Sequence, residues 1–203
     1  MGSNFTFLEK DFPVLAQFGK NAETYLYSDS NSCLMKLGMI CETVVYLMFT
    51  YDNIPLPRDN SAVERINVLA RQGFLTKDLV DILHALRKVR NKAVHNNYES
   101  VSDGKALLEM AHSLCEWFMQ TYGDWHYQNQ AFVLPLEERQ VPQADRAAEE
   151  QEENRLAEQA EQAALAAAPV TRAVRRQRAG RASNQRQRSE AETRYLIDQQ
   201  LRQ

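Results

Sequence analysis

Cysteine is scarce in this chain of 203 residues: there are three, at Cys33, Cys41 and Cys115. The number is odd and each lies in an apolar helical pattern, so they read as reduced core residues of a cytosolic, cytoplasmic protein. No closely spaced Cys or His ligands occur, so no metal site is expected. No basic start followed by an apolar run marks a secretory signal. The most apolar stretch, Leu34 to Thr50, carries Lys36 and Glu42 and is short for a bilayer, so no membrane span is expected. The sequence has no GxxxxGK[ST] phosphate loop and no separated Asp…Glu-x-Lys set. P-loop nucleotide hydrolysis and metal-dependent phosphodiester cleavage are therefore not expected within it, and no cofactor is implied.

Apolar content of 44% and charged content of 25% are ordinary for a globular protein. The net charge of −3 predicts no partner, but its distribution is uneven. Residues 144–163 carry a net −5, residues 170–188 a net +7 with no acid at all, and everything before residue 144 a net −4. The N-terminal part thus lacks the basic footprint of a nucleic-acid binder.

Apolar spacing predicts five helices before residue 125. Pro13 opens the first, with Leu15, Phe18, Ala22 and Tyr25 on one stripe. The second, about Ser32 to Tyr51, is polar only along Lys36, Thr43 and Thr50. It reads as the central helix with one thin edge in water. Ser61-Ala62-Val63-Glu64 is a capping box for the third helix, which closes at Gly73. The fourth starts near Thr76 and stops at Asn96-Asn97. The fifth runs from about Asp103 to Gly123. No alternating strand pattern is present, and Ala131–Pro135 reads as an apolar tether folding back on the bundle. Residues 144–168 contain few large apolar residues and predict a solvated helix. The arginine-rich stretch that follows predicts a flexible segment. Ser189-Glu190-Ala191-Glu192 opens a last helical pattern with Tyr195, Leu196, Ile197 and Leu201.

Two sets of residues could carry chemistry. The run Leu83 to His95 closes the fourth helix and contains Arg90, Asn91 and His95. Histidine can exchange a proton near neutrality and a guanidinium can stabilise charge on a phosphate, so metal-independent RNA cleavage is one reading. Positions five apart diverge by about 140° on a regular helix, so Arg90 and His95 would need local unwinding or a second subunit to meet. Arg87, Asn91 and His95 share a face more naturally, and a plain solvated stripe looks the same. The second set is Arg172, Arg175, Arg176, Arg178, Arg181, Arg186 and Arg188, which could contact phosphates or simply balance the acidic segment before them. No aromatic residue is interleaved, which argues against base reading. His84, His112 and His126 read as structural, and Trp117 and Trp125 as packing or interface residues.

Asn4–Leu8, the helical core, Leu86–His95 and Phe132–Pro135 together resemble the N-terminal region of bacterial type I restriction enzyme R subunits, a module of unknown function within the broader HEPN-like helical domains. The resemblance covers roughly residues 3–140. Glu190–Leu201 resembles the start of the nuclease region of such subunits. The resemblance implies an all-α, HEPN-like bundle of about five helices over 1–140. A charged helix and linker would follow over 141–188, and the first helix of a nuclease region over 189–203. It also implies a parent that cleaves DNA with ATP, with methylase and specificity subunits as partners and DNA reached through that complex. This chain would then be a non-catalytic piece of a larger subunit, serving defence. HEPN ribonucleases carry Arg-x4–6-His with Asn, Asp or His after the Arg, and Arg90, Asn91 and His95 match it. A homodimeric ribonuclease or toxin is therefore the alternative, and an inert structural bundle the third reading.

Overall fold

Local sequence chemistry sets where each helix starts and stops. A computed structural model describes residues 2–137, 146–186 and 190–201. Among these it is all-α: α1 Pro13–Tyr25, α2 Ser30–Tyr51, α3 Ala62–Arg71, α4 Lys77–Asn96, α5 Val101–Tyr122, α6 Arg146–Ala166, α7 Arg172–Gln185 and α8 Glu190–Leu201. Pro13 takes the first position of α1. The side chains of Asp29, Ser61, Ser100 and Thr171 accept from the backbone N–H three residues on, capping α2, α3, α5 and α7. Such caps contribute about 1 kcal/mol each. Asn97 adopts φ 47° and ends α4, and Gly73 at φ 75° turns the chain after α3.

α2 is the central element and packs against α1, α4, α5 and α6. It is the one described helix long and apolar enough to cross a membrane, and most of it is buried inside the bundle. Cys33, Cys41 and Cys115 are free, buried thiols, pushed up by burial. Two helix faces admit neighbours only because a glycine lies there. At Gly19 a Cβ would collide with the ring of Phe5, and at Gly38 it would collide with the stem of Arg90.

The tether after α5 does fold back. Asn4 donates from Nδ2 to the Val133 carbonyl at 2.8 Å and accepts from the Val133 N–H at 2.8 Å, while the Tyr27 hydroxyl donates to the Pro135 carbonyl. Phe132 packs against His112.

The structure departs from the sequence expectation beyond residue 145. The edge of α2 expected to face water is covered by α6 at Lys36. Lys36 donates both to Glu153 Oε1 at 2.6 Å and to Oε2 at 2.7 Å, and Asn21 donates to the same carboxylate at 2.8 Å. Leu156, Ala160 and Ala164 continue the buried stripe. Small residues let α6 approach closely, so an alanine face packs where no large apolar seam exists. The segment expected to be flexible contains a helix, α7, against α5. Arg175, Ala179, Ala182 and Arg186 line its inner face. Arg175 Nε donates to Asp52 at 2.8 Å and Nη1 to the Thr121 carbonyl at 2.7 Å, and its guanidinium lies 4.0 Å from the Tyr122 ring centroid. Trp117 Nε1 donates to the Ala179 carbonyl. Arg186 then holds Glu192 of α8 through two hydrogen bonds, with Asp78 of α4 3.5 Å away. Tyr195 and Leu196 of α8 pack against the core, while Ile197 is half exposed. The expected cap Ser189 lies outside the described residues.

The Asp52–Arg175 pair is almost wholly buried. Arg175→Met alone should cost about 3–5 kcal/mol, because a buried carboxylate is left without its counter-charge. Adding Asp52→Asn should recover part of that loss, as read from urea unfolding of the single and double variants.

Candidate functional site

Each residue of the Arg-Asn-His segment is placed by α4, whose inner stripe of Leu79, Ile82, Leu86, Val89 and Ala93 is buried. Arg90 flanks that stripe. Its stem lies against Gly38 of α2, and its Nη1 pairs with Glu42 at 2.9 Å. Asn91 and His95 are exposed, His95 in the last turn before the left-handed Asn97. Among the described residues no hydrogen bond or ion pair joins Arg90, Asn91 and His95. Within one copy of the chain Arg90 is engaged by Glu42 of α2, while Asn91 and His95 are exposed. Glu42, the partner of Arg90, sits in an apolar helix whose periodicity gave no sign of it.

The six described arginines of this set fall into two groups. Arg175 and Arg186 are buried and committed to Asp52, and to Glu192 and Asp78. A guanidinium paired in this way has no free fork for a phosphate. Arg172, Arg176 and Arg181 are exposed and Arg178 is partly so. Arg176 Nε donates to the Gln72 carbonyl, and Arg181 lies 5.3 Å from the ring centroid of half-exposed Trp125. Arg188 lies outside the described residues. The sequence signal that separates the groups is the stripe Arg175, Ala179, Ala182, Arg186, spaced as one face of a helix.

The remaining histidines have other surroundings. His84 is half-buried near Arg87 and Lys88, and burial with those like charges lowers its pKa. His112 is buried among the rings of Phe5, Phe7 and Phe132, and its Nε2 has no hydrogen-bond partner. Burial there brings its pKa down to about 4, although a hydrogen bond to the Asn4 backbone pulls the other way. Glu116, 3.9 Å from His112 Nδ1, accepts from the Gln130 N–H and the Tyr127 hydroxyl. Burial raises its pKa. Among the described residues no group of three or more His, Cys, Asp or Glu is arranged to hold a metal ion.

Comparison with known proteins adds two findings. A family model described as a domain of unknown function, DUF4145, matches residues 20–159. The type I restriction enzyme EcoKI endonuclease subunit of Escherichia coli (strain K12) is 27% identical over 134 residues, which cover 66% of this chain but 11% of that protein. The chain thus spans only about a tenth of the relative's length. No solved structure matches.

His112 generates a pH prediction. Its folded-state pKa lies below that of the exposed imidazole, so the neutral ring favours folding. The stability it contributes is present above about pH 6.5 and is lost as pH falls toward 4, at up to about 1.4 kcal/mol per pH unit. Glu116 has the opposite sign, since its raised pKa favours folding at low pH and weakens it as pH rises. Thermal unfolding should show a midpoint that drops between pH 6.5 and 4.5 in the wild type. The slope should be shallower in His112→Leu.

Proposed function

The chain belongs to the DUF4145 domain family, and from that membership we propose that it is a non-catalytic interaction module of a type I restriction system, held beside DNA. Two things support this reading: the similarity to the EcoKI endonuclease subunit, and the basic outer surface of α7. The observation that carries it is the division of labour among the arginines. Arg175 and Arg186 fix α7 to the bundle, and Arg172, Arg178 and Arg181 are left at the surface. Phosphate contacts of this kind give affinity without base reading. Methylase and specificity subunits are the partners proposed for the larger assembly. α8 would lead toward a nuclease region, as the resemblance of Glu190–Leu201 implies.

Deleting α7 would strip the cover from Trp117 and Asp52, so substitution is the cleaner test. Arg172→Gln, Arg178→Gln and Arg181→Gln together should weaken binding to a fluorescent DNA duplex. The slope of log K against log salt should fall by about 0.9 for each phosphate contact removed. Anisotropy at several salt concentrations measures both. An unchanged slope would remove α7 from the DNA-contacting surface.

A second reading rests on Asn91 and His95, exposed one turn apart at the end of α4. A second copy of the chain facing this end would complete a HEPN-like ribonuclease site, with Arg90 exchanging Glu42 for a phosphate. His95→Ala should then abolish RNA cleavage in the presence of EDTA while leaving the thermal midpoint unchanged. A wild-type protein that is monomeric and inert on RNA would dispose of it.

A further inference from the structure

Between α2, α3 and α6 the surface opens into a cleft of about 730 Å³. That volume falls in the range of about 300–1,000 Å³ typical of small-molecule sites. α2 packs against α4 along one flank and α6 along another, so it forms the floor, with α3 and α4 on one side and α6 on the other. Cys41, Val45 and Ile66 are buried and make the floor apolar. Arg87 lines the cleft from α4, and Arg65 lines it from α3.

Arg87 is the feature without a use. Its Nε is buried and has no hydrogen-bond partner, and among the described residues no carboxylate lies within ion-pair distance of it. Arginine stays protonated, and a desolvated guanidinium N–H without an acceptor is costly. Of the arginines near it, Arg90 is paired with Glu42, while among the described residues the Arg65 side chain bonds only the neutral Asn60 side chain, through Nε. Three carboxylates line the cleft as well, none within ion-pair distance of Arg87. Glu42 belongs to Arg90, Glu161 accepts from the Tyr46 hydroxyl, and Glu158 stands on α6 across the floor. The cleft therefore has Arg65 and Arg87 on one side and Glu158 and Glu161 on the other, over a floor that carries Cys41 and Val45 and the Arg90-paired Glu42.

We infer that this cleft binds a small organic anion. Its phosphate or carboxylate head pairs with Arg87, with Arg65 as second cation, and its body lies on Val45 and Ile66. A bare inorganic ion would leave most of the volume to water, so the head alone does not account for the cleft. A phosphate or carboxylate head matches the planar fork that a guanidinium offers an oxyanion.

The test is side-chain ¹⁵N NMR of the full chain. Arginine Nε–H signals are followed during titration with phenyl phosphate, with benzoate and with uncharged phenol, and Arg87 is assigned through Arg87→Lys. The Arg87 signal should move saturably with phenyl phosphate, with benzoate or with both, which tells the two head chemistries apart, and stay put with phenol. Arg87→Met should bind the active probe at least tenfold more weakly. Ala157→Leu, which fills the cleft from α6, should do the same. The variant carrying glutamine at 172, 178 and 181 should bind as the wild type does. An Arg87 signal unmoved by either anion, equal binding of phenol, or full binding by Ala157→Leu would overturn the inference. The titration and Ala157→Leu decide the matter even where Arg87→Met fails to fold.

Discussion

Asp52 anchors α7 to the rest of the bundle. It follows the last residue of α2 and accepts from both Arg175 Nε and the Tyr122 hydroxyl, at 2.8 and 2.7 Å. α2 ends at Tyr51 and α5 at Tyr122, so two helix C-termini and their partial negative charge converge on one point. A single guanidinium inserted there answers the carboxylate, the Thr121 carbonyl and the face of the Tyr122 ring together. Few cations could do so. A lysine would supply the charge without the planar fork. Burial raises the Tyr122 pKa strongly, with Asp52 adding to it, so the phenol stays a donor and the network keeps one arrangement of protons. α7 has its position because this junction has only one well-matched occupant.

The bundle from α1 to α5 was legible because its signals are local. Pro13, Ser61 and Asn97 mark the ends, and Leu79 to Ala93 gives the period of α4. α6 and α7 carried signals of a different kind. α6 packs through Leu156, Ala160 and Ala164 and through Glu153, and a reading that looks for large apolar residues sees only a polar helix. α7 packs through two arginines and two alanines, and seven arginines in nineteen residues read as solvated charge. What makes Arg175 internal is Asp52, 123 residues away, and no spacing rule reaches that far. The same holds at the candidate site. Spacing alone showed that Arg90 and His95 diverge. That Arg90 rests on Gly38 and pairs with Glu42 follows only from the α2–α4 contact.

Charge in this chain therefore does two kinds of work that composition cannot separate. Lys36, Arg175 and Arg186 act as interior fasteners, each facing a buried carboxylate from a distant part of the sequence or the next helix. Arg172, Arg178 and Arg181 remain at the surface on the helix those fasteners hold. On the DNA-contact proposal, the rigid mount would give that surface set a fixed register. In the acidic segment before α7, Glu149 and Glu153 are engaged by Tyr25, Lys36 and Asn21, while Glu150 and Glu158 stay exposed.

The paired hydrogen bonds between Asn4 and Val133 give the bundle a mechanical property. They bring the segment that enters the first helix beside the segment that leaves the fifth, 129 positions later. Tension applied between those two segments would load this clasp together with its flanks, since Phe5 and Phe132 beside it are seated in the core and Tyr27 holds Pro135. The helices it encloses would be pulled on only after those contacts part.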